Sequence, residues 1–449
     1  MRFQILTTLF FLFIAFYIGF KLKSNSGDFD QINIWEYLLG IIKKENSILE
    51  RFGNQFKAFR NNLNLKSKKN PEGVFGKNKE TIMTEEPKKG VEVKILTQNI
   101  FIRPPIINNN GNDFKTERLE WFLNNIVGKY DVVCLQEMFQ YASSRHKKMM
   151  DGAKEHGLVH SVSSPSRGLF YAGIDAGLMI LSRYPITYSE FLQYERGVHS
   201  DAMSLKGVLY GKIHVGGKDS EKCIHVFNTH TQASYGNVEL TQPGVIKRLS
   251  QLKALHEFVD KMIKEHRKPG ELAIINGDMN VDSRKHNVPD KENGGIEQDE
   301  RDGKEHSDEY LAMMGIIEGR GLPDPSIFGF PPDKNFESEN KLKFVDTVYS
   351  KHGYHPVTFG NIKVLPETNK PVPMETVLTT KGDNMAMHSL DYILWYEPHV
   401  IENETGDVDF GSQNKVVEAH VEPNFTGDDQ KFTQISDHYG ASAKIWVGL

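Results

Sequence analysis

Asn99, Glu137, His230, Asp278 with Asn280, and Asp437 with His438 are expected to stand at the C-terminal ends of apolar, strand-like runs. An apolar strand needs no acid at its tip, and a buried charge is costly without a partner. If those tips converge on one sheet edge, they gather three carboxylates, two amides and two imidazoles, with no thiol. Such a donor set suits Mg²⁺ or Mn²⁺ better than structural zinc. Taken singly, each residue has an ordinary explanation: Asn99 caps a turn, Glu137 pairs with a lysine, and Asp278 after Gly277 opens a loop. The ordered collection is what points to chemistry.

The elements that would carry these residues are legible as alternating patterns. Strand-like runs occur at EVKILTQN, DVVCLQ, GLMILS, GVLYGKIHV, CIHVFNT, LAIING, LDYILW and ASAKIWV. Val245, Leu249, Leu252, His256, Val259 and Ile263 recur at helical spacing before LAIING, and Thr116 is expected to N-cap a helix containing Leu119, Phe122 and Ile126. The alternation predicts a layered α/β domain over residues 91–449. Ser283 to Glu309 reads as a polar surface loop inserted into it. No internal repeat is present.

With 449 residues, 39% hydrophobic and 25% charged, the chain can bury a sizeable core, and its composition excludes collagen, coiled coil, polytopic membrane protein and wholesale disorder. Charge is unevenly spread. Residues 1–90 hold 15 Lys and Arg against 9 Asp and Glu, a net +6, which leaves 39 against 50, or −11, for residues 91–449. An acidic body argues against nucleic acid as a partner, because lysines and arginines on phosphates supply most of that affinity. Cys134 and Cys223 each lie in an apolar run and are expected to be buried free thiols.

Phe3 to Phe20 carries no charge over 18 residues, about 27 Å as a helix. No small-x-small cleavage site follows it, so residues 1–23 are expected to be an uncleaved membrane anchor, with a secretory signal as the alternative. Lys21 and Lys23 place the body weakly on the cytosolic side, whereas the sequons at Asn403 and Asn424 point outward. Residues 24–90 read as a basic juxtamembrane linker, equally consistent with a solvated tether and with an adhesive surface for anionic lipid.

TQN (97–99), LQE (135–137), NTH (228–230), NGDMN (276–280), LDYIL (390–394) and SDH (436–438) follow the order and approximate spacing of the endonuclease/exonuclease/phosphatase superfamily, the DNase I-like fold. This resemblance implies a four-layer α/β sandwich of two mixed β-sheets flanked by helices, and a divalent-metal phosphodiester hydrolase. Within that superfamily, AGLMILSRYPI (176–186), DAMSLKGVLYGKIHV (201–215) and NTHTQASY (228–235) resemble the neutral sphingomyelinases. Asp201 and Lys206 stand where that family has its Asp and Lys, and an N-terminal hydrophobic segment is found in its membrane-bound members. A membrane sphingolipid is then the implied substrate, cleaved to ceramide and phosphocholine.

In-line hydrolysis of a phosphodiester needs neutralised nonbridging oxygens, an activated water and help for the leaving alkoxide. Under the resemblance, Glu137 is the principal Mg²⁺ ligand, aided by Asn99, with Asp437 a further metal or water contact. His438 is the general base, its tautomer set by Asp391. Asp278 and Asn280 orient water and phosphate, His230 donates to a phosphoryl oxygen, and Lys206 adds positive charge there from a loop closed over the site, positioned by Asp201. Leu169 to Tyr171 and Phe328 to Phe330 are candidates for a bilayer-entering aromatic element, and Phe344 to Thr347 with Thr358 for substrate-side contacts.

Two other hydrolases share these residues. A nuclease should show a basic, aromatic-interleaved groove, which a −11 body does not supply. An inositol-phosphate phosphatase should carry basic residues after NGDMN, and Arg284 with Lys285 do follow it. A catalytically dead scaffold would have lost some of Glu137, Asp278, Asn280 and His438; none is lost.

Overall fold

A computed structural model describes residues 90–448, except 106, 108–112, 167–172, 217–220, 235–238, 287–302, 380–384 and 397–413. The anchor expected over residues 1–23, the linker over 24–90 except Gly90, Leu169 to Tyr171 and the Asn403 sequon therefore lie outside the described residues. Among those described, no helix is long and apolar enough to cross a membrane.

The strands are β1 (Gly90–Ile102), β2 (Val132–Met138), β3 (His160–Ser163), β4 (Met179–Ser182), β5 (Ile186–Gln193), β6 (Gly207–His214), β7 (Cys223–His230) and β8 (Leu272–Asp278). They continue with β9 (Phe344–Asp346), β10 (Phe359–Gly360), β11 (Ile362–Leu365), β12 (Lys370–Pro373), β13 (Met387–His388), β14 (Asp391–Tyr396), β15 (Lys415–Glu422) and β16 (Gly440–Gly448). The helices are α1 (Lys115–Asn125), α2 (Arg145–Glu155), α3 (Pro243–His266), α4 (Asp308–Ile317) and α5 (Thr347–His352).

Two six-stranded sheets result, ordered β15-β16-β1-β2-β4-β3 and β5-β6-β7-β8-β14-β9. Each is mixed: β1 with β2 and β7 with β8 are the parallel pairs, and the remaining neighbours within each sheet are antiparallel. The period of two along a strand decides what each face does. Val93 and Ile95 of β1, Cys134 of β2, Ile224 and Val226 of β7 and Ile274 of β8 share one dry cluster between the sheets. The alternate residues Leu96, Ile100, Val133 and Leu135 turn outward and pack under Leu119 and Phe122 of α1 and Met149 of α2. On the opposite side Tyr210, Phe227 and Ile275 pack under Leu249 and Leu252 of α3 and Met313 of α4. The layers run helix, sheet, sheet, helix, and the expected four-layer architecture is present.

All eight strand-like runs are strands, and the helical periodicity over 245–263 lies inside α3, which starts on Pro243 at its first turn. Cys134 and Cys223 are buried and unbridged. Four expectations need correction. The N-cap of α1 is Phe114, held at φ 49° with no side-chain cap, while Thr116 lies inside the helix and accepts from Arg145. Residues 283–309 are not wholly surface: Ser283 and Arg284 are buried, and Glu309 sits in α4 paired with buried Arg248. Phe328 packs in the core beneath α3 and α4, so it is a loop anchor and not a bilayer-entering element. Asp437 and His438 precede β16 instead of ending a strand, because that strand runs antiparallel to β1.

Candidate active site

The same inward row that is apolar at one end of the sandwich becomes polar at the other. Val93 and Ile95 give way to Thr97 and Asn99, Ile224 and Val226 to Asn228 and His230, and Leu272 and Ile274 to Asn276 and Asp278. Gln136 bridges the two sheets there, donating to Thr97 Oγ1 at 3.0 Å and Asn228 Oδ1 at 2.6 Å. Strand β14 begins where β8 ends, which sets Asp391 in register with Asp278. Parallel β7 likewise sets His230 in register with Asp278. Gly277 makes this approach possible: at φ 135° a Cβ would lie 2.0 Å from the Thr229 carbonyl oxygen.

Around Asp278 the expected residues come together. Asn99 Nδ2 donates to Asp278 Oδ2 at 3.0 Å and to Glu137 Oε1 at 3.1 Å, while its Oδ1 accepts from Phe101 N–H. His438 Nδ1 lies 2.8 Å from Asp391 Oδ2, and its Nε2 faces Asp278 Oδ2 at 3.7 Å. His230 Nε2 stands 3.4 Å from the same oxygen. Asn280 N–H donates to Asp278 Oδ1 at 2.9 Å, and its side-chain amide donates to the Thr231 carbonyl. Glu137 and Asn280 both occupy the left-handed region, at φ 56° and 51°, a backbone strain that concentrates at functional sites.

Lys206 is buried and uses its ammonium on three acceptors: Asp201 Oδ2 at 2.9 Å, His230 Nε2 at 3.0 Å and the Thr231 carbonyl at 2.5 Å. Asp201 also accepts from Ala233 N–H. The pair is thus built into the site wall. Thr231 follows the NTH run directly, and its backbone oxygen organises both Lys206 and Asn280.

The electrostatics follow from burying many acids together. Burial pushes Asp437 up to about 7, with the charge of Glu137 adding and that of His438 opposing. Burial likewise pushes Asp391 up to about 6. Burial opposes ionisation of Asp278 too, but His438, His230 and Lys206 hold it below the usual carboxylate range. For His438, burial favours the neutral ring, yet Asp391 and Asp278 outweigh it and raise its proton affinity. Burial and Lys206 lower that of His230, leaving a neutral ring that accepts from Lys206.

Several supporting residues act through backbone groups, and of these Arg118 carries no sequence motif. Arg118 is fully buried and donates to the carbonyls of Asp113, Ile100, Phe101 and Ile435, tying the end of β1 to the loop before His438. Ser436 Oγ donates to the Asn99 carbonyl and accepts from His438 N–H. Thr358 Oγ1 accepts from the N–H groups of Leu390 and Asp391, so it positions Asp391 from behind. Asp346 caps α5 through Tyr349 N–H, a structural role. Arg284 is buried and donates to the His355 carbonyl, and Lys285 pairs on the surface with Glu305.

Two β-sheets enclose a carboxylate–histidine cluster at one end, and the profile of the endonuclease/exonuclease/phosphatase family, a family of hydrolases, matches residues 119–438. A sphingomyelinase from Dictyostelium discoideum is 32% identical over 386 residues, 76% of this chain and 76% of that protein. Sphingomyelinase C from Bacillus cereus is 29% identical over 201 residues, 42% of this chain and 57% of that protein. The chain belongs to the endonuclease/exonuclease/phosphatase family and, within it, to the sphingomyelinase family. Beta toxin from Staphylococcus aureus superposes with a TM-score of 0.47 at 18% identity, over 78% of this chain and 99% of that one.

Proposed function

We propose that the chain is a Mg²⁺-dependent phosphodiesterase that hydrolyses sphingomyelin to ceramide and phosphocholine. The observation that carries this reading is Lys206, ion-paired to Asp201 and set against His230 beside the carboxylate cluster. A nuclease or inositol-phosphate phosphatase has the cluster without needing that pair. Of the two basic residues on which the phosphatase alternative rests, Arg284 faces the interior and donates to the His355 carbonyl, while Lys285 pairs on the surface with Glu305, which favours the lipid reading.

The site fits a divalent cation. Glu137, Asp278, Asp391 and Asp437 converge, and two of the four are pushed up in pKa by burial with too little positive charge nearby. Glu137 would hold the ion with Asn99, which must first turn its amide to present oxygen, and Asp437 would complete the set. When bound, the ion supplies charge neutralisation on a nonbridging phosphate oxygen and offsets the carboxylate field on His438. His438 Nε2 then takes the proton of the attacking water, with Nδ1–H held by Asp391. Asp278 and Asn280 orient water and phosphate, and His230 and Lys206 face the developing negative charge. Residues 1–23 are proposed to hold the enzyme at a membrane, and the basic linker to meet anionic lipid.

The test is incubation of the purified chain with Mg²⁺, or Mn²⁺, and a panel of sphingomyelin, phosphatidylcholine, inositol phosphates and DNA. Phosphocholine release from sphingomyelin, abolished by EDTA and by Glu137→Gln, is expected. Release that survives excess EDTA would defeat the metal reading, and DNA cleavage without phosphocholine would defeat the substrate.

A further inference from the structure

We infer that Asp282, His286 and His388 form a second metal site, selective for a first-row transition ion of the Zn²⁺ type. One ligand atom from each lies within 4.8 Å of the others. Asp282 Oδ1 accepts the N–H groups of Arg284 at 3.1 Å and Ser389 at 2.9 Å. That fixes the carboxylate and turns Oδ2 toward two imidazoles, His286 Nε2 at 2.5 Å and His388 Nε2 at 3.8 Å. A carboxylate oriented by backbone donors is how proteins hold a metal ligand in place.

Two imidazoles and one carboxylate suit Zn²⁺, whereas Mg²⁺ demands oxygen ligands in an octahedron. Three protein ligands leave a position for water. The side chains of His286, His388 and Asp282 are 41%, 37% and 19% exposed, so an ion has access. Tetrahedral ligation places donors roughly 3.3 Å apart. His286 must therefore swing outward by about 1 Å, which its exposure allows.

The position in the fold gives the site a consequence. Asp282 lies on the segment leaving β8, just after Asp278, and His388 lies in β13, just before Asp391. An ion here clips together the two segments that carry the register partners Asp278 and Asp391. It would act by positioning and stabilisation, apart from the reacting atoms.

The test uses the untagged full chain in millimolar Mg²⁺, with Zn²⁺ affinity read by competition against a chromophoric chelator and geometry by the visible absorption of Co²⁺. Wild type should bind one equivalent of Zn²⁺ in the micromolar range or tighter. His286→Ala and His388→Ala should each weaken that affinity at least tenfold, and His438→Ala should not. Melting in EDTA checks that the variants fold, and His286→Gln, which keeps the side-chain size, should lose the Zn²⁺-induced rise in melting temperature seen in wild type. No micromolar uptake by wild type, or uptake as tight as wild type's by both His286 variants, would overturn the site. Uptake lost in His438→Ala but kept in His286→Ala would move the ion to the carboxylate pocket and overturn it equally.

Discussion

Lys206 Nζ stands 3.0 Å from His230 Nε2 while holding Asp201 at 2.9 Å. Lys206 donates to three acceptors on the wall of the site, so its charge is held in place beside His230, and contact with a phosphate requires the exchange of one of these bonds. Lys206→Ala is expected to lower sphingomyelin turnover by roughly 10²-fold or more, the usual effect of removing one transition-state contact. Turnover of a small activated diester should fall less, and wild-type rates on sphingomyelin in this variant would defeat the assignment.

His438 and Asp391 should behave as one unit. Loss of a general base commonly costs about 10²–10⁴-fold, and loss of its orienting carboxylate removes the same function. His438→Ala and Asp391→Asn are each expected in that range, with the double variant close to the worse single one. Multiplying losses in a double-mutant cycle would show that the two act separately.

Asp346 gives a pH signature in stability and not in activity. It is buried, and burial raises it from 3.8 to about 6 in the fold. The folded state therefore binds its proton more tightly, so the contribution is full below about 4 and is lost as pH rises through 6. Asp346→Asn keeps an acceptor for Tyr349 N–H and does not titrate. Denaturant midpoints should show the variant gaining on wild type between pH 4 and 6, by roughly 3 kcal/mol at 1.36 kcal/mol per pH unit. A constant difference across that range would contradict the assignment.

Gly277 is the backbone hinge of the site. Gly277→Ala meets the Thr229 carbonyl at 2.0 Å in a conformation that L-residues rarely adopt. A loss of at least about 1–3 kcal/mol is expected from the strain alone. Because the clash pushes β8 away from β7 beside Asp278, turnover should fall together with the melting temperature; a variant with wild-type stability would show that the strands are free to shift.

The eight apolar strands, the long helix over 245–263 and the cluster of Asn99, Glu137, His230, Asp278, Asn280, Asp391 and His438 were readable in the chain. Their patterns arise locally, from the period of a strand or helix and from polar residues placed where an apolar run stops. The polar, exposed edge strands β5 and β15 showed no such contrast and were missed. Which end of a strand bears its acid was also undetermined, since Asp437 and His438 precede β16, and direction is settled only by pairing with β1. Arg118 has no signature, and Ser436 in the SDH run and Thr358, read as a substrate-side contact, gave no sign of their actual roles, because each acts on backbone groups that are remote in sequence. The Asp282–His286–His388 group likewise depends on a contact between residues 107 apart, from Ser389 N–H to Asp282. Residue types and periodicity dictate which groups a chain can bring to a site; only tertiary packing decides which atoms face one another, because hydrogen bonds and charge interactions act over a few ångströms regardless of sequence separation.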